Sequence, residues 1–566
     1  MNKKQIMFTV VLFTLLIGCN TETKTETADT IYTNGKIYTV NEAQPWVEAA
    51  AIKDGKFIKV GSTAEVEALQ GENTSVVNLE GAFAMPGLGD PHIHPALVMP
   101  KRVYCSLPGT FYEPTEEMTL TALKEAIANY PKDLEWFIGA GFSVPAMAPE
   151  TLTREFLDQL IPDRPAFIED ETGGHTAWFN TKAMEAAGIS KETKDTPEVF
   201  YSRTKDGDLA GMAYEGGLNA FYDVLPPFDT KLRKVAYMNL LDQATSKGIT
   251  AAGDAYVFEV DLQPYQELKQ EGKLNQHLVL YLGGNLGTPE LTSIEELNRW
   301  WDSYDLPGHK AVKIGMGGSI ESITEALVDG FADPNNSAKP FVEAEPFADY
   351  IAKLDSEGFQ VKVHAIGDGT VRATLDGYEV TIKANGNNRL RHHIDHASLI
   401  HSDDFKRFVD LDIASSIWPP LNAPVAYNVE GIKPVLKPET WERMYDNRAR
   451  QDAGMRLFNH SDAPAAVLWP WFGMEATITR GFPGKPEVEK MGPQHALTLE
   501  ETIVAHTLNA AWVLQVDDVS GSIEEGKSAD FIILNHNLFE IPVTDIHKTE
   551  VQKTFFKGKE VYSAEK

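Results

Sequence analysis

A chain of 566 residues, 43% of them apolar and 23% charged, can bury more than one core and has the balance of a globular protein rather than a disordered one. Its formal net charge of −31 repels phosphate backbones and sets nucleic acid aside as a partner, while the acidity itself reads as solubility. The 2 cysteines, Cys19 and Cys105, exclude a disulfide framework in a chain of this size.

The first residues, 1–18, open with Lys3 and Lys4 and continue as an apolar run from Ile6 to Ile17, broken only by Thr9 and Thr14. That run is shorter than the roughly 20 residues of a transmembrane span and has the layout of a secretory signal peptide. Its end, Leu16-Ile17-Gly18-Cys19, resembles a bacterial lipobox. The resemblance implies cleavage before Cys19 and lipidation of Cys19. The mature chain is then a membrane-anchored lipoprotein of the cell envelope. Residues 19–30, rich in Thr and Glu after the cysteine, read as a flexible tether. Cys105 is left as a free thiol.

Residues 31–80 hold short strand patterns with hairpin signals at Asn34-Gly35 and Asp54-Gly55. Residues 515–566 hold a matching set, the apolar run Phe531-Ile532-Ile533-Leu534 and a hairpin-like stretch around Gly558. Both ends are strand-rich, so the economical reading is one small β-sandwich domain built from both termini. Between them, 81–514 alternates strand and helix patterns. Strand candidates stand at 82–85, 249–252, 277–282, 311–316, 359–364, 391–396, 412–418 and 455–461. Strands joined by crossovers in this number predict an α/β fold, a (β/α)8 TIM-type barrel. The gap from the first candidate to the second is too long for one crossover. Residues of about 100–248 therefore form an insertion at the active face. Trp178, Phe142 and Trp418 read first as core and second as pocket walls.

The first strand candidate leads into Asp90-Pro91-His92-Ile93-His94-Pro95. In extended backbone His92 and His94 point to the same side. Two neutral imidazoles so placed can hold a divalent transition metal. Barrel active sites lie at the C-terminal ends of the strands. There the fourth candidate carries Lys313 among Ala311, Val312 and Ile314, and the fifth ends in His364. The sixth ends in His396, and the eighth in His460-Ser461-Asp462. Imidazoles and a carboxylate thus gather on one rim with a lysine inside it.

These elements resemble the amidohydrolase superfamily, in particular its YtcJ-like branch, amidohydrolase family 3. The matching motifs are Met85-Pro86-Gly87 running to Asp90–His94, Gly173-Gly174-His175, Val312-Lys313-Ile314, His364-Ala365-Ile366-Gly367-Asp368, Asp395-His396-Ala397 and Ser461-Asp462-Ala463-Pro464. The closing stretch from Gly521 to Asp530 matches as well. The resemblance implies a metal-dependent hydrolase of carbon–nitrogen bonds other than peptide bonds, acting by metal-activated water attack. It implies metal-site roles for His92, His94, His364, His396 and Asp462, around one or two zinc or other divalent ions. Lys313 matches the lysine that many members carboxylate to bridge two ions. His175 would contact substrate, His396 would polarise the carbonyl, and Asp462 would carry the proton from water to the leaving nitrogen. A small amide is the implied substrate, and pairing of two chains is common in the family. A cyclic amidase or deaminase of the superfamily, or a metal- or solute-binding lipoprotein without catalysis, are the competing readings. One departure stands out. Members usually follow the lysine with Phe-Ala-Asp-Gly-Ser, whereas this chain has Gly315-Met316-Gly317-Gly318-Ser319 and lacks the aspartate at 317.

Replacing Cys19 by Ser should move the protein from the membrane to the soluble fraction of a fractionated bacterial host. Retention on the membrane would show that Cys19 is not the anchor.

Overall fold

The computed structural model describes residues 27–109, 114–171, 176–196, 199–285, 288–387 and 389–564. The signal segment, Cys19 and His175 lie outside the described residues. Eight strands form one sheet in chain order: β1 (Leu88–Ile93), β2 (Ile249–Val257), β3 (His277–Gly283), β4 (Ala311–Gly315), β5 (Gln360–Ala365), β6 (His393–His396), β7 (Ala414–Ser416) and β8 (Leu457–Phe458). Every pairing between neighbours is parallel. Just past β8, Asp462 N donates to His92 O (3.0 Å) and His94 N to Ala463 O (2.8 Å), so the curled sheet closes on β1 at its rim. This is the expected TIM-type barrel.

β2, β3, β4 and β8 are largely apolar because helices cover the outer face and side chains fill the interior, whereas β1, β6 and β7 carry polar residues. The helix Ala344–Ser356 shows the matching helical rule. Its buried residues Phe347, Tyr350, Ile351 and Leu354 fall at the spacing of a single helix face, which packs on the sheet. The next helix, Asp368–Asn385, starts directly behind the end of β5 and buries Val371, Leu375 and Tyr378.

The first barrel strand is not the one expected. Of the expected segment 82–85, residues 83–85 fall in Phe83–Pro86, which pairs with Lys36–Tyr38 and Phe531–Leu534 in the smaller unit. Barrel strand β1 begins only after Gly87, where the chain crosses from one sheet to the other. The crossing is tight: a Cβ on Gly87 would stand 2.2 Å from Thr250 Oγ1 of β2. Pro86-Gly87 is therefore a joint between two strands. The polar composition of β1, with Asp90, Pro91 and His92 inside it, hid the second strand from pattern reading.

The smaller unit consists of a 4-stranded and a 6-stranded sheet, and its strands come from both chain ends. Tyr32, Phe57, Phe531 and Phe555 meet in one core, with the Phe531 and Phe555 rings stacked at 4.3 Å. Asp54-Gly55 makes a true hairpin between Ala49–Lys53 and Lys56–Gly61. Both turn residues have positive φ (49° and 75°), as a type I′ turn requires. Asn34-Gly35 does not make a hairpin. Thr30–Thr33 and Lys36–Tyr38 pair in different sheets, so this turn passes the chain between layers.

Between β1 and β2 the insertion folds on its own 5-stranded sheet, ordered Val199–Arg203, Leu209–Glu215, Thr176–Phe179, Ala166–Asp170, Phe137–Phe142. Trp178 and Phe142 lie in the core of this insertion, which removes them as pocket walls. Among the described residues no helix is long and apolar enough to cross a membrane.

Two buried histidines away from the rim set an acid limit on this fold. Burial pushes His393 down to about 3, with Asp395 opposing, and His506 down to about 4, with its bond to Thr502 O opposing. Both are neutral when folded, and the unfolded chain binds their protons below about pH 6.5. Their contribution is complete above that pH and is lost as the pH falls toward 4. His506→Gln should flatten this loss by up to ~1.4 kcal/mol per pH unit. Urea denaturation between pH 7 and 4.5 measures it, and an unchanged slope would mean that His506 is protonated in the native state.

Candidate metal centre

The extended backbone of β1 turns His92 and His94 to one side, and both are buried. Asp462 reaches them from beyond β8. Its φ of +64° is a left-handed conformation that a non-glycine residue holds at a cost of order 1–3 kcal/mol. Three donor atoms converge. His92 Nε2 and His94 Nε2 are 3.1 Å apart, and Asp462 Oδ1 lies 3.2 Å from the first and 3.0 Å from the second.

The protons of these rings are set from behind. His94 Nδ1 is 2.7 Å from the carbonyl oxygen of Ala255, and His92 Nδ1 is 2.8 Å from Asp395 Oδ2. Both oxygens only accept, so each favours the neutral ring with hydrogen on Nδ1 and a lone pair on Nε2, by a hydrogen bond for His94 and by a close charge contact without hydrogen-bond alignment for His92. Burial and the nearby charge of Lys313 hold His92 well below its ordinary value, against the pull of Asp395. Two lone pairs and a carboxylate oxygen therefore face one another with no proton between them. That arrangement repels itself unless a cation sits in the middle. Its edges match the roughly 3 Å separation of ligand atoms around an ion with bonds of about 2.0–2.1 Å. The donor set fits a divalent metal. Among the described residues, these three form the one group of His, Cys, Asp and Glu able to hold one. Asp90 braces the joint from below, with Oδ1 accepting from Ser461 N (3.1 Å) and His92 N (3.3 Å).

Beneath His92 lies a buried charge cluster. Asp395 Oδ2 is 2.7 Å from Lys313 Nζ, 3.4 Å from Lys362 Nζ and 2.8 Å from His92 Nδ1, and all four side chains are essentially inaccessible. Burial works to raise the Asp395 carboxyl, but Lys313, Lys362 and His92 outweigh it and hold the group well below the usual carboxylate range. Burial lowers both lysines, Lys362 to about 8, with Asp395 opposing. Lys313 Nζ, the atom that carboxylation would modify, stands in this cluster inside the barrel. Pattern reading missed Lys362. It stands two residues before His364 on β5 and so faces the same side, the interior, where it also donates to Pro91 O.

His396 and His364 stand beside the three-donor group. The His396 ring centroid is 4.9 Å from His92, 4.4 Å from His364 and 4.5 Å from Trp418. His396, like Asp462, has positive φ (68°), which turns the end of β6 inward. Its Nδ1 is buried with no hydrogen-bond partner among the described residues. His364 Nε2 lies 2.8 Å from Gly318 O. His460 completes the wall, stacked on His92 (5.0 Å) and on Trp418 (5.2 Å). Burial pushes it down to about 4, and both ring nitrogens lack hydrogen-bond partners among the described residues. Trp418 is the one aromatic of the three candidates that borders the site.

The sequence model of the amidohydrolase family matches residues 75–562. The chain is 26% identical to YtcJ of Bacillus subtilis (strain 168), covering 94% of this chain and 99% of that one. It is 23% identical to the N-substituted formamide deformylase of Arthrobacter pascens, covering 94% and 98%. Its fold is similar to that of an uncharacterized metal-dependent hydrolase from Pyrococcus horikoshii, with a TM-score of 0.70 at 22% identity over 91% of this chain and 99% of that one.

Removing Asp395 would strand two buried ammonium groups and unlock the His92 ring. Asp395→Ala should cost about 3–5 kcal/mol of stability. Adding Lys362→Met should return part of that loss. Thermal denaturation of the single and double variants checks it, and a double variant no more stable than Asp395→Ala would show that Lys362 does not depend on Asp395.

Proposed function

The chain belongs to the amidohydrolase family, and on that premise we propose that it is a zinc-dependent hydrolase of a carbon–nitrogen bond in a small, non-peptide amide. The observation that carries this reading is the convergence of His92 Nε2, His94 Nε2 and Asp462 Oδ1, three atoms that accept and do not donate, at the open end of a barrel. These residues would hold the ion, with His364 and His396 beside it. A divalent ion there supplies Lewis acidity and lowers the pKa of a bound water toward neutrality.

The protein's own groups do the rest. The Asp462 carboxylate takes the proton of the attacking water and returns it to the leaving nitrogen. His396, in the tautomer with hydrogen on its unpartnered Nδ1, donates to the carbonyl oxygen as negative charge develops there. Trp418 packs on His396 and excludes water from that side. His175 is assigned to substrate contact on the Gly173-Gly174-His175 motif alone. N-substituted formamides are the first substrate class to test, because the Arthrobacter pascens relative bears that activity in its name. We also assign the mature chain to the cell envelope through lipidated Cys19, and a pair of chains as its assembly.

Protein purified without chelators, with Cys19 replaced, should contain about one zinc per chain by elemental analysis. Asp462→Asn should lower kcat/KM on the active member of a panel of N-formyl amines, N-acyl amino acids and cyclic imides by about 10²–10⁴-fold. Near-normal turnover in that variant would remove Asp462 from the mechanism. A chain that takes up no zinc even when it is supplied would overturn the hydrolase reading.

A further inference from the structure

The end of β2 holds a residue with no part in the chemistry above. Tyr256 stands at a bulge: Ala255 pairs with Tyr281 and Val257 with Leu282, so Tyr256 has no partner on β3. Its φ is +72°, a left-handed conformation that a bulky side chain rarely holds. A bulge at a barrel rim re-aims a side chain. Here it brings the ring of Tyr256 beside the metal centre. The ring lies nearly parallel to that of His94 (13°, centroids 6.4 Å apart), and its centroid is 5.7 Å from Lys313 Nζ.

The neighbours fix this strand end. Asp254 Oδ2 accepts from Ala96 N (3.1 Å) and from the Tyr265 hydroxyl, and Ala255 O is the oxygen behind the His94 ring. Phe258 stacks on Tyr256 (6.4 Å, 5°) in a space that Gly283 leaves open, since a Cβ on Gly283 would stand 2.3 Å from Phe258 Cε1.

The hydroxyl sets Tyr256 apart from the tyrosines of the core. Tyr237, Tyr265, Tyr281, Tyr378 and Tyr445 are fully buried, and each has a hydrogen bond at its hydroxyl, with Asp261, Asp254, Gln360, Val361 O and Ser398 respectively. Tyr256 is 9% exposed and makes no hydrogen bond among the described residues. A tyrosine kept for packing alone needs neither a left-handed backbone nor a hydroxyl without a partner, and both are unfavourable.

We propose that Tyr256 is a further catalytic residue of this site, whose hydroxyl donates a hydrogen bond to the carbonyl oxygen of the bound amide. A phenol is protonated at neutral pH and able to donate. In an N-substituted formamide the carbonyl oxygen is the strong acceptor. Tyr256 is then a second donor to the negative charge that develops there, reaching it from β2 as His396 does from β6. The proton stays on the phenol throughout. This assignment rests on the amide-hydrolase reading above.

The test uses the Cys19-replaced chain loaded with zinc and its Tyr256→Phe variant, which keeps the ring and removes only the O–H. Tyr256→Phe should melt within about 2 °C of wild type and bind Zn²⁺, measured by competition with a chromogenic chelator, within about threefold. It should nevertheless lose about 10²-fold in kcat/KM on the active member of the substrate panel, mainly in kcat. Calorimetric binding of acetohydroxamate, a small zinc ligand with a carbonyl oxygen, reads the same contact without turnover and should weaken about tenfold. Wild-type turnover and hydroxamate affinity in Tyr256→Phe overturn the proposal and leave the hydrolase reading standing. A tenfold loss of zinc affinity or a melting temperature lowered by more than about 5 °C makes the hydroxyl structural and also overturns it. A zinc-loaded wild type that neither binds the hydroxamate nor turns over any panel member has an ion closed to carbonyl oxygens, which overturns it as well. A wild-type chain that takes up no zinc fails the hydrolase reading, and the proposal falls with it.

Discussion

The site depends on one buried carboxylate. Asp395 sits inside the barrel with Lys313 of β4, Lys362 of β5 and His92 of β1 all directed at the same oxygen. Four strands are thereby cross-linked by charge in a region that water does not reach, where an unpaired ion is costly and a paired one is worth more than at the surface. The same contact decides a proton. With Nδ1–H of His92 held against Asp395, the Nε2 lone pair is left facing His94 and Asp462. The metal-binding character of the rim therefore begins one layer below it. A stable, neutral, correctly oriented imidazole is the output of the charge cluster, and Ala255 O performs the equivalent task for His94.

The second constraint is geometric. Barrel strands deliver side chains to the rim only if the backbone turns at the right place. β6 ends in His396 and the segment just past β8 carries Asp462, both with positive φ, so the chain bends inward where the functional group is needed. Bonds from Asp462 N to His92 O and from Ser461 N to Asp90 Oδ1 weld the first and last strands at that bend. Closing the barrel and assembling the donor set are thus one event. The smaller unit feeds this joint directly, because Phe83–Pro86 runs through Gly87 into β1 with no intervening loop. A shift of the terminal sheets would be felt at His92 within a few residues.

Much of this was legible in the residue order. The barrel follows from repeated apolar runs spaced by helix-length segments, and the rim positions follow from polar residues standing at the ends of those runs. The composite β unit follows from strand-rich termini. The failures have identifiable physical causes. β1 was displaced by one segment because its own residues serve the site and so lack the apolar signature of a strand. Asn34-Gly35 carries the chemistry of a hairpin turn but is used to change layers, and local turn preference cannot tell the two apart. Trp178 and Phe142 have the same composition as pocket walls but pack inside the insertion, where a separate sheet needed a core.

What sequence alone determined is the inventory: which strands exist, which of them end in imidazoles, a lysine or a carboxylate, and that the aspartate of the family loop is absent at 317. These are local properties of periodicity and side-chain chemistry. Tertiary structure alone decided the partnerships. It set Lys313 and Lys362 on one carboxylate, chose which ring nitrogen of His92 and His94 is bare, brought Trp418 and His460 onto the site, and laid Glu325 over Gly317. Each of these is a contact between strands or loops far apart in the chain. The residue order names both members of such a pair but not the distance, burial and direction that make them act on each other.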